Sequence, residues 1–570
     1  MRLLHEAANT AVAFANRRRR RYTTIPEATV MEDDNDETSR LATTAEGAEN
    51  RTDGADGLMR STEEEESQSS SPIETIERWS PSGKWYLDML HFVGPGWLVS
   101  IAYIDPGNYQ ADIQAGATSR YSLLFVVWWT SILSIYVQIL CVRLAYYSNL
   151  TLAQAQAHHT SSKSMRYLNW AIAEFSTVIT DLPEVIGIGI ACKIFFGWPY
   201  YVGVLLSLLT TMTFLATMSY GMRVLEAIIF CFVGIMSISM VLEMKFVHPN
   251  TKELVEGWVY GFRHVTSQDV FAITGVVGAV VMPHNLHLHT ASCQSRPVHK
   301  EHVKEAVWWS SLEPVLPIIV SFFINLAVVA VAAETVYGSP GAEDVGLTDF
   351  CDYFQKLKFG CLLWGIALLA AGQSSAITTT FTGQYVMDGF LKIRLPIRWR
   401  AVITRLVAIA PCIVVSVAFP NHMNHMVNIV NSCLSFLLPF AFTPLVKYNC
   451  SPEFMGEGNA SKGTEKFILY CFAGAVWFVN AFAFSIPGGG FFGDLRAGMD
   501  NRSVNFLCVV LAEMAIQVFY GWWNLHTFRT PVAPRTSTAE TLSSGSPMPI
   551  NDTDVSSAAS ALSSEETELL

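Results

Sequence analysis

Apolar and polar positions along this 570-residue chain fall in long blocks. Between about residues 88 and 526, twelve runs are apolar and long enough to cross ~30 Å of hydrocarbon as helices. They lie at about 88–117, 121–147, 168–192, 199–219, 222–243, 270–291, 306–333, 359–389, 401–419, 425–447, 466–486 and 504–526. An all-α integral membrane domain is therefore predicted over 86–527. Residues 1–78 and 528–570 lack any sustained apolar period and are rich in Ser, Thr and either Glu or Pro. Such composition predicts disordered tails, placed at 1–85 and 528–570. An even number of spans puts both tails on one side. The connections 292–304 (Arg296, Lys300, Lys304) and 391–400 (Lys392, Arg394, Arg398, Arg400) are basic, and 334–352 is acidic. The positive-inside rule then makes both tails cytosolic.

Composition agrees. Hydrophobic residues make up 51% and charged residues 15%, against about 25% charged in soluble domains. The two tails carry −11 of the formal −12, so the acidic balance describes the tails and leaves the core near neutrality. A soluble enzyme, a nucleic-acid binder and a disulfide-stapled secreted domain are all disfavoured. The eleven cysteines are scattered, with no C-x-x-C pair, and are read as buried inert thiols.

Two of the runs are interrupted. The first contains Ala102-Tyr103-Ile104-Asp105-Pro106-Gly107-Asn108, the sixth Ala279-Val280-Val281-Met282-Pro283-His284-Asn285. A proline inside an apolar helix deletes a backbone hydrogen bond and clashes with the preceding turn. Two such sites, five spans apart, are the mark of an inverted repeat with discontinuous helices, because an odd number of spans makes the second block enter from the opposite side. Freed carbonyls at mid-membrane are natural cation ligands. Asp105 adds an anionic oxygen that needs a cation, a proton or water beside it. Asn108 adds an amide oxygen and Met282 a thioether. Calcium and magnesium favour all-oxygen shells, so sulfur tilts the site towards softer transition metals. Asp105, Asn108, Met282 and the carbonyls of Ala102 and Ala279 thus form a candidate cage for a divalent transition metal.

The third run carries Glu174, Asp181 and Glu184. At about 100° per residue, Asp181 sits about −20° from Glu174 and Glu184 about −60° from Asp181, so the three share a stripe. Each would cost ~2–3 kcal/mol facing lipid, so the stripe is expected to face protein or water. Arg405 is either their counter-charge or an arginine snorkelling to the surface.

Asp-Pro-Gly-Asn in the first span with Ala-x-x-Met-Pro-His-Asn in the sixth resembles the Nramp family of proton-coupled divalent metal transporters, of LeuT-like fold. Thr180-Asp181-Leu182-Pro183-Glu184, Gly372-Gln373-Ser374-Ser375 and Gly383-Gln384-Tyr385-Val386-Met387-Asp388-Gly389-Phe390 are also similar to that family. The resemblance covers about 88–450. It implies an inverted repeat of helices 1–5 and 6–10, and manganese and iron moved with protons. It also implies a proton path through the Glu174, Asp181, Glu184 and Arg405 group, with His284 a gating or proton-linked residue. Asn431 stands where many members carry glutamine, and its amide is placed to complete the cage. Leu437 and Thr379 also depart from the common pattern.

The function expected is therefore secondary transport of divalent metal into the cytosol, with no cofactor and no enzymatic activity. Two rivals are a non-transporting sensor of the same fold and a sodium-coupled amino-acid symporter. The terminal Glu565-Glu566-Thr567-Glu568-Leu569-Leu570 resembles a dileucine sorting signal for adaptors. The membrane is either the plasma membrane or that of an endosome, lysosome or vacuole.

Overall fold

The computed structural model describes residues 78–532 except 93–98, 100–101, 161, 218–230, 232–233, 235–236, 239, 267–268, 354–359, 484, 486–491, 493–495 and 497–503. Both predicted tails up to residue 77 and from 533, and most of the fifth predicted span, lie outside the described residues.

The described chain is helical, with one isolated bridge between Trp79 and Val298. Its principal helices are α1 (Trp85–Phe92), α2 (Pro106–Ser119), α3 (Leu124–Ser148), α4 (Lys163–Phe196), α5 (Tyr200–Thr217), α6 (Val270–Val280) and α7 (Pro283–Gln294). They continue with α8 (Val303–Leu312), α9 (Val315–Thr335), α10 (Gly360–Leu391), α11 (Ile397–Ala418), α12 (Met423–Asn449), α13 (Gly463–Ala483) and α14 (Val504–Arg529). Each predicted span that falls on described residues coincides with one of these helices or with a pair of them. Shorter helices at Leu152–His159 and Thr251–Tyr260 occupy connections. The first is closed by a capping box in which Thr151 and Gln154 satisfy each other's backbone N–H.

Both predicted interruptions are present. Residues 102–105 are non-helical ahead of α2, and Val281 and Met282 separate α6 from α7. In each case proline takes the first position of the new helix, where its missing N–H costs nothing.

The broken helices lie at the centre. α2 and α6 pack on each other and on α12, and α2 packs also along α9, while α10 and α4 form the most extensive helix pair. Two apolar clusters fill the spaces. One joins α3, α6 and α9 through residues such as Leu140, Val276 and Phe322. The other joins α2, α4, α9, α10 and α12 through Ile113, Ile186, Val328 and Trp364. α13 and α14 stand at the edge: the apolar window of the Val270–Gln294 span is 78% buried, against 17% for Asn505–Arg529.

Two expectations change. Cys351 and Cys361 are paired as a disulfide, so the reading of all eleven cysteines as inert thiols is corrected. Cys351 lies in the acidic loop and Cys361 at the start of α10, so the pair joins a polar connection to the first turn of an apolar run. Trp79 is buried against Phe92 and Ala306, with its N–H donating to the Pro297 carbonyl at 2.9 Å, so the packed body begins ahead of residue 86.

Candidate functional site

The first break is organised by Asp105. Its backbone is extended (φ −103°, ψ 169°), and its carboxylate caps α2 by accepting the Asn108 N–H at 2.7 Å. Asn108 Nδ2 also donates to Asp105 Oδ1 at 3.0 Å and to the Ala102 carbonyl at 3.3 Å. The helix donor to that carbonyl would be residue 106, a proline with no N–H. Asn108 Oδ1 is buried and has no hydrogen-bond partner.

The second break repeats the rule. Residue 283, which would donate to the Ala279 carbonyl, is again proline. Val281 N–H returns to Val277 at 2.9 Å, and the Val280 carbonyl accepts from Ser134 Oγ at 3.3 Å. Met282 is extended (φ −76°, ψ 131°) and 2% exposed, and its side chain does not cap α7.

Asn431 on α12 ties the two breaks. Its Nδ2 donates to the Gly107 carbonyl at 2.8 Å. A Cβ built on Gly107 would lie 3.0 Å from Asn431 Oδ1 and 3.2 Å from Asp105 Oδ1, so amide oxygen and carboxylate flank the same small residue. The backbone of Asn431 abuts Gly278, next to Ala279, where α6 and α12 approach closely enough to exclude any side chain. Asn431 Oδ1, like Asn108 Oδ1, is buried without a partner. Oxygens of Asp105, Asn108 and Asn431 thus gather at the first break, and α12 carries them to the end of α6. Among the described residues no group of three or more His, Cys, Asp or Glu stands together. The first break therefore presents one carboxylate together with neutral amide oxygens.

The carboxylates of α4 divide into two sets. Asp181 and Glu184 face Arg405 of α11, at 3.3 and 3.6 Å, and all three are at most 1% exposed. Arg405 is therefore a buried counter-charge and does not snorkel. Thr379 Oγ1 donates to Asp181 Oδ1 at 2.8 Å, and Ser375 Oγ donates to Glu184 Oε1, both from α10. Glu174 stands apart, paired with Arg400 in the first turn of α11. The single stripe of three carboxylates on one counter-charge is corrected accordingly. Arg400 and Thr379 are partners that sequence reasoning missed: Arg400 reads as one of a basic connection, Thr379 as a departure from a family pattern. His284 is fully buried, with Nδ1 3.3 Å from Thr180 Oγ1, one residue before Asp181. His284 thereby links α7, directly after Met282, to the helix bearing the carboxylates. His287 lines a small cavity with Gln156, Asn169, Ser176, Pro283 and Leu437, and His289 Nδ1 lies 2.5 Å from Gln138 Oε1.

Residues 96–485 match the family model described as Natural resistance-associated macrophage protein-like, Nramp. The chain belongs to the Nramp family. A metal transporter nramp1 homolog of Dictyostelium discoideum is 36% identical over 68% of this chain and 76% of that protein. Metal transporter Nramp2 of Oryza sativa subsp. japonica is 35% identical over 77% and 84%. Among solved structures, a manganese transporter of Eremococcus coleocola is 26% identical, with a TM-score of 0.71, covering 80% of this chain and 99% of that one. Nramp membership bears out the all-α membrane fold with its broken first and sixth helices.

Proposed function

We propose that this Nramp protein is a secondary transporter that moves divalent transition-metal ions, manganese and iron foremost, into the cytosol together with protons. The observation that carries this reading is the gathering of Asp105, Asn108 and Asn431 oxygens at one break, tied through Asn431 to the break that bears Met282. The relatives and solved structures that it resembles are metal and manganese transporters by name. The metal is cargo, so the cage exchanges ligands with water as access alternates. Asp105 supplies the charge, Asn108 and Asn431 the amide oxygens, Ala102 and Ala279 carbonyls, and Met282 the soft contact that disfavours calcium.

The proton path runs through His284, Thr180 and the Asp181–Arg405–Glu184 group. Two buried carboxylates share one guanidinium there, and charge balance leaves room for one exchangeable proton. Glu174 and Arg400 form the next pair along α4, towards its N-terminal end.

Both termini are assigned to the cytosol. The Cys351–Cys361 disulfide supports this, since it falls by the acidic loop on the opposite face, where an exterior or lumenal compartment is oxidising. The dileucine-like C-terminus is assigned to adaptor-dependent sorting between the cell surface and endosomal, lysosomal or vacuolar membranes.

Proteoliposomes containing the full chain and an internal pH dye test the reading. Manganese added outside under an inward proton gradient is expected to enter with acidification of the lumen. Absence of manganese entry, or entry unchanged by Asp105→Ala, would overturn it.

A further inference from the structure

α2 carries a second buried carboxylate, Asp112, which the metal cage does not use. It is 1% exposed, its Oδ2 has no hydrogen-bond partner, and no ion pair reaches it among the described residues. A lone carboxylate in an apolar interior needs a compensating positive charge.

The helix facing Asp112 can be read from register. α2 packs along α9. Ser321 Oγ of α9 donates to the Tyr103 carbonyl at 3.0 Å, fixing one end of the contact. Gly116 fixes the other, since a Cβ there would lie 2.7 Å from Ala332 Cβ and 3.0 Å from Ala333 N. Asn325 falls one turn after Ser321 and one turn before Val329, whose carbonyl also abuts Gly116, so it lies at the centre of the α9 face that meets α2. Asp112 is one turn before Gly116 on the answering face. Carried back one turn from Gly116 and Ala332–Ala333, the register sets Asp112 against Val328 and Val329, with Asn325 one turn lower at the level of Asn108, and Asp112 itself roughly 10 Å from Asp105 towards the C-terminus of α2 at 1.5 Å per residue. Asn325 is also 1% exposed, and its Oδ1 has no hydrogen-bond partner. One turn below Asp112 on the same face stands Asn108, whose Oδ1 is likewise unpartnered. Apolar residues flank the seam on both sides: Tyr109, Ile113 and Val328 in one cluster, Ala111, Ala115 and Leu326 in the other.

We propose that this seam between α2 and α9 is a second cation site, distinct from the metal cage, that takes a hard monovalent cation such as sodium. The donor set decides the class. Carboxylate and amide oxygens with neither sulfur nor imidazole favour a hard ion. One carboxylate among neutral groups balances a single positive charge, whereas a divalent ion would leave a net charge in an apolar seam. Asn108 stands between the two sites and faces both.

The test is equilibrium binding of radioactive sodium to the purified full-length protein, with choline holding ionic strength constant. Saturable sodium binding is expected, weakened at least tenfold by Asp112→Asn and several-fold by Asn325→Ala. Asp105→Ala should bind sodium within about twofold of wild type, and Asp112→Asn should bind manganese within about twofold. No saturable sodium binding between pH 6 and 9 would mean that Asp112 is balanced by a proton, and the proposal fails. Wild-type sodium binding by Asp112→Asn also overturns it; should that variant not fold, wild-type binding by Asn325→Ala does the same. Because the readout is sodium at equilibrium, failure of manganese transport would leave this result standing, and the reverse holds as well.

Discussion

At the first break Asp105 closes the N-terminus of α2 with its own side chain, whereas at the second Met282 offers α7 no side-chain cap. Both breaks follow one backbone rule, a proline four residues after an alanine whose carbonyl then lacks its helix donor. The side chains laid on that rule differ in kind. The carboxylate sits where the positive end of α2 favours it, and its geometry is held by Asn108 before any ion arrives. The thioether is held only by packing, and the next helical residues turn away from it, with His284 directed at Thr180. Charge and rigidity thus reside in one break, the thioether and the connection to the carboxylate-bearing helix in the other. The halves of an inverted repeat share a backbone device while dividing the chemistry between them.

The division can be broken one half at a time. Asp105→Ala removes the only carboxylate in the cage and should lower manganese uptake by about 100-fold or more, to the background of empty vesicles. Arg405→Ala should rank next. It strands two buried carboxylates, and loss of one partner of a buried pair costs about 3–5 kcal/mol. A lowered melting temperature in detergent together with weakened proton entry is the expected result. Pro283→Ala restores an N–H at residue 283 that can take the Ala279 carbonyl, and should cut uptake several-fold in protein that still elutes as a single species. Met282→Ala should leave manganese uptake within a few-fold but raise calcium uptake, so the manganese-to-calcium ratio falls. Asn431→Gln, which keeps the amide on a longer arm, should change the apparent KM for manganese by about twofold and the maximal rate hardly at all. If Met282→Ala and Asp105→Ala have equal effects on every ion, the two breaks do not differ as described.

The breaks themselves were legible because proline and glycine inside a run of Ala, Ile and Val have no bland use in a helix that must satisfy its own backbone. The cage candidates follow from residue type at those points. Asn431 needed the family pattern, since nothing in Val427–Leu434 alone marks one asparagine as facing Gly107. The split of the α4 carboxylates was not legible. A stripe on one helix shows that Glu174, Asp181 and Glu184 point the same way, but their partners depend on how far α11 slides along α4. That slide puts Arg400 at Glu174 and Arg405 between the other two. The Cys351–Cys361 pairing was equally hidden, because it depends on how the acidic connection meets the start of α10. Helix patterns read one element at a time, and these features belong to pairs.

X-ray absorption at the cadmium edge of the full-length protein loaded with one equivalent of cadmium reads the ligand shell itself. The account predicts a mixed shell containing one sulfur neighbour, which disappears in Met282→Ala while the oxygen neighbours remain. A shell of oxygen alone in the wild type, unchanged by that substitution, would contradict it.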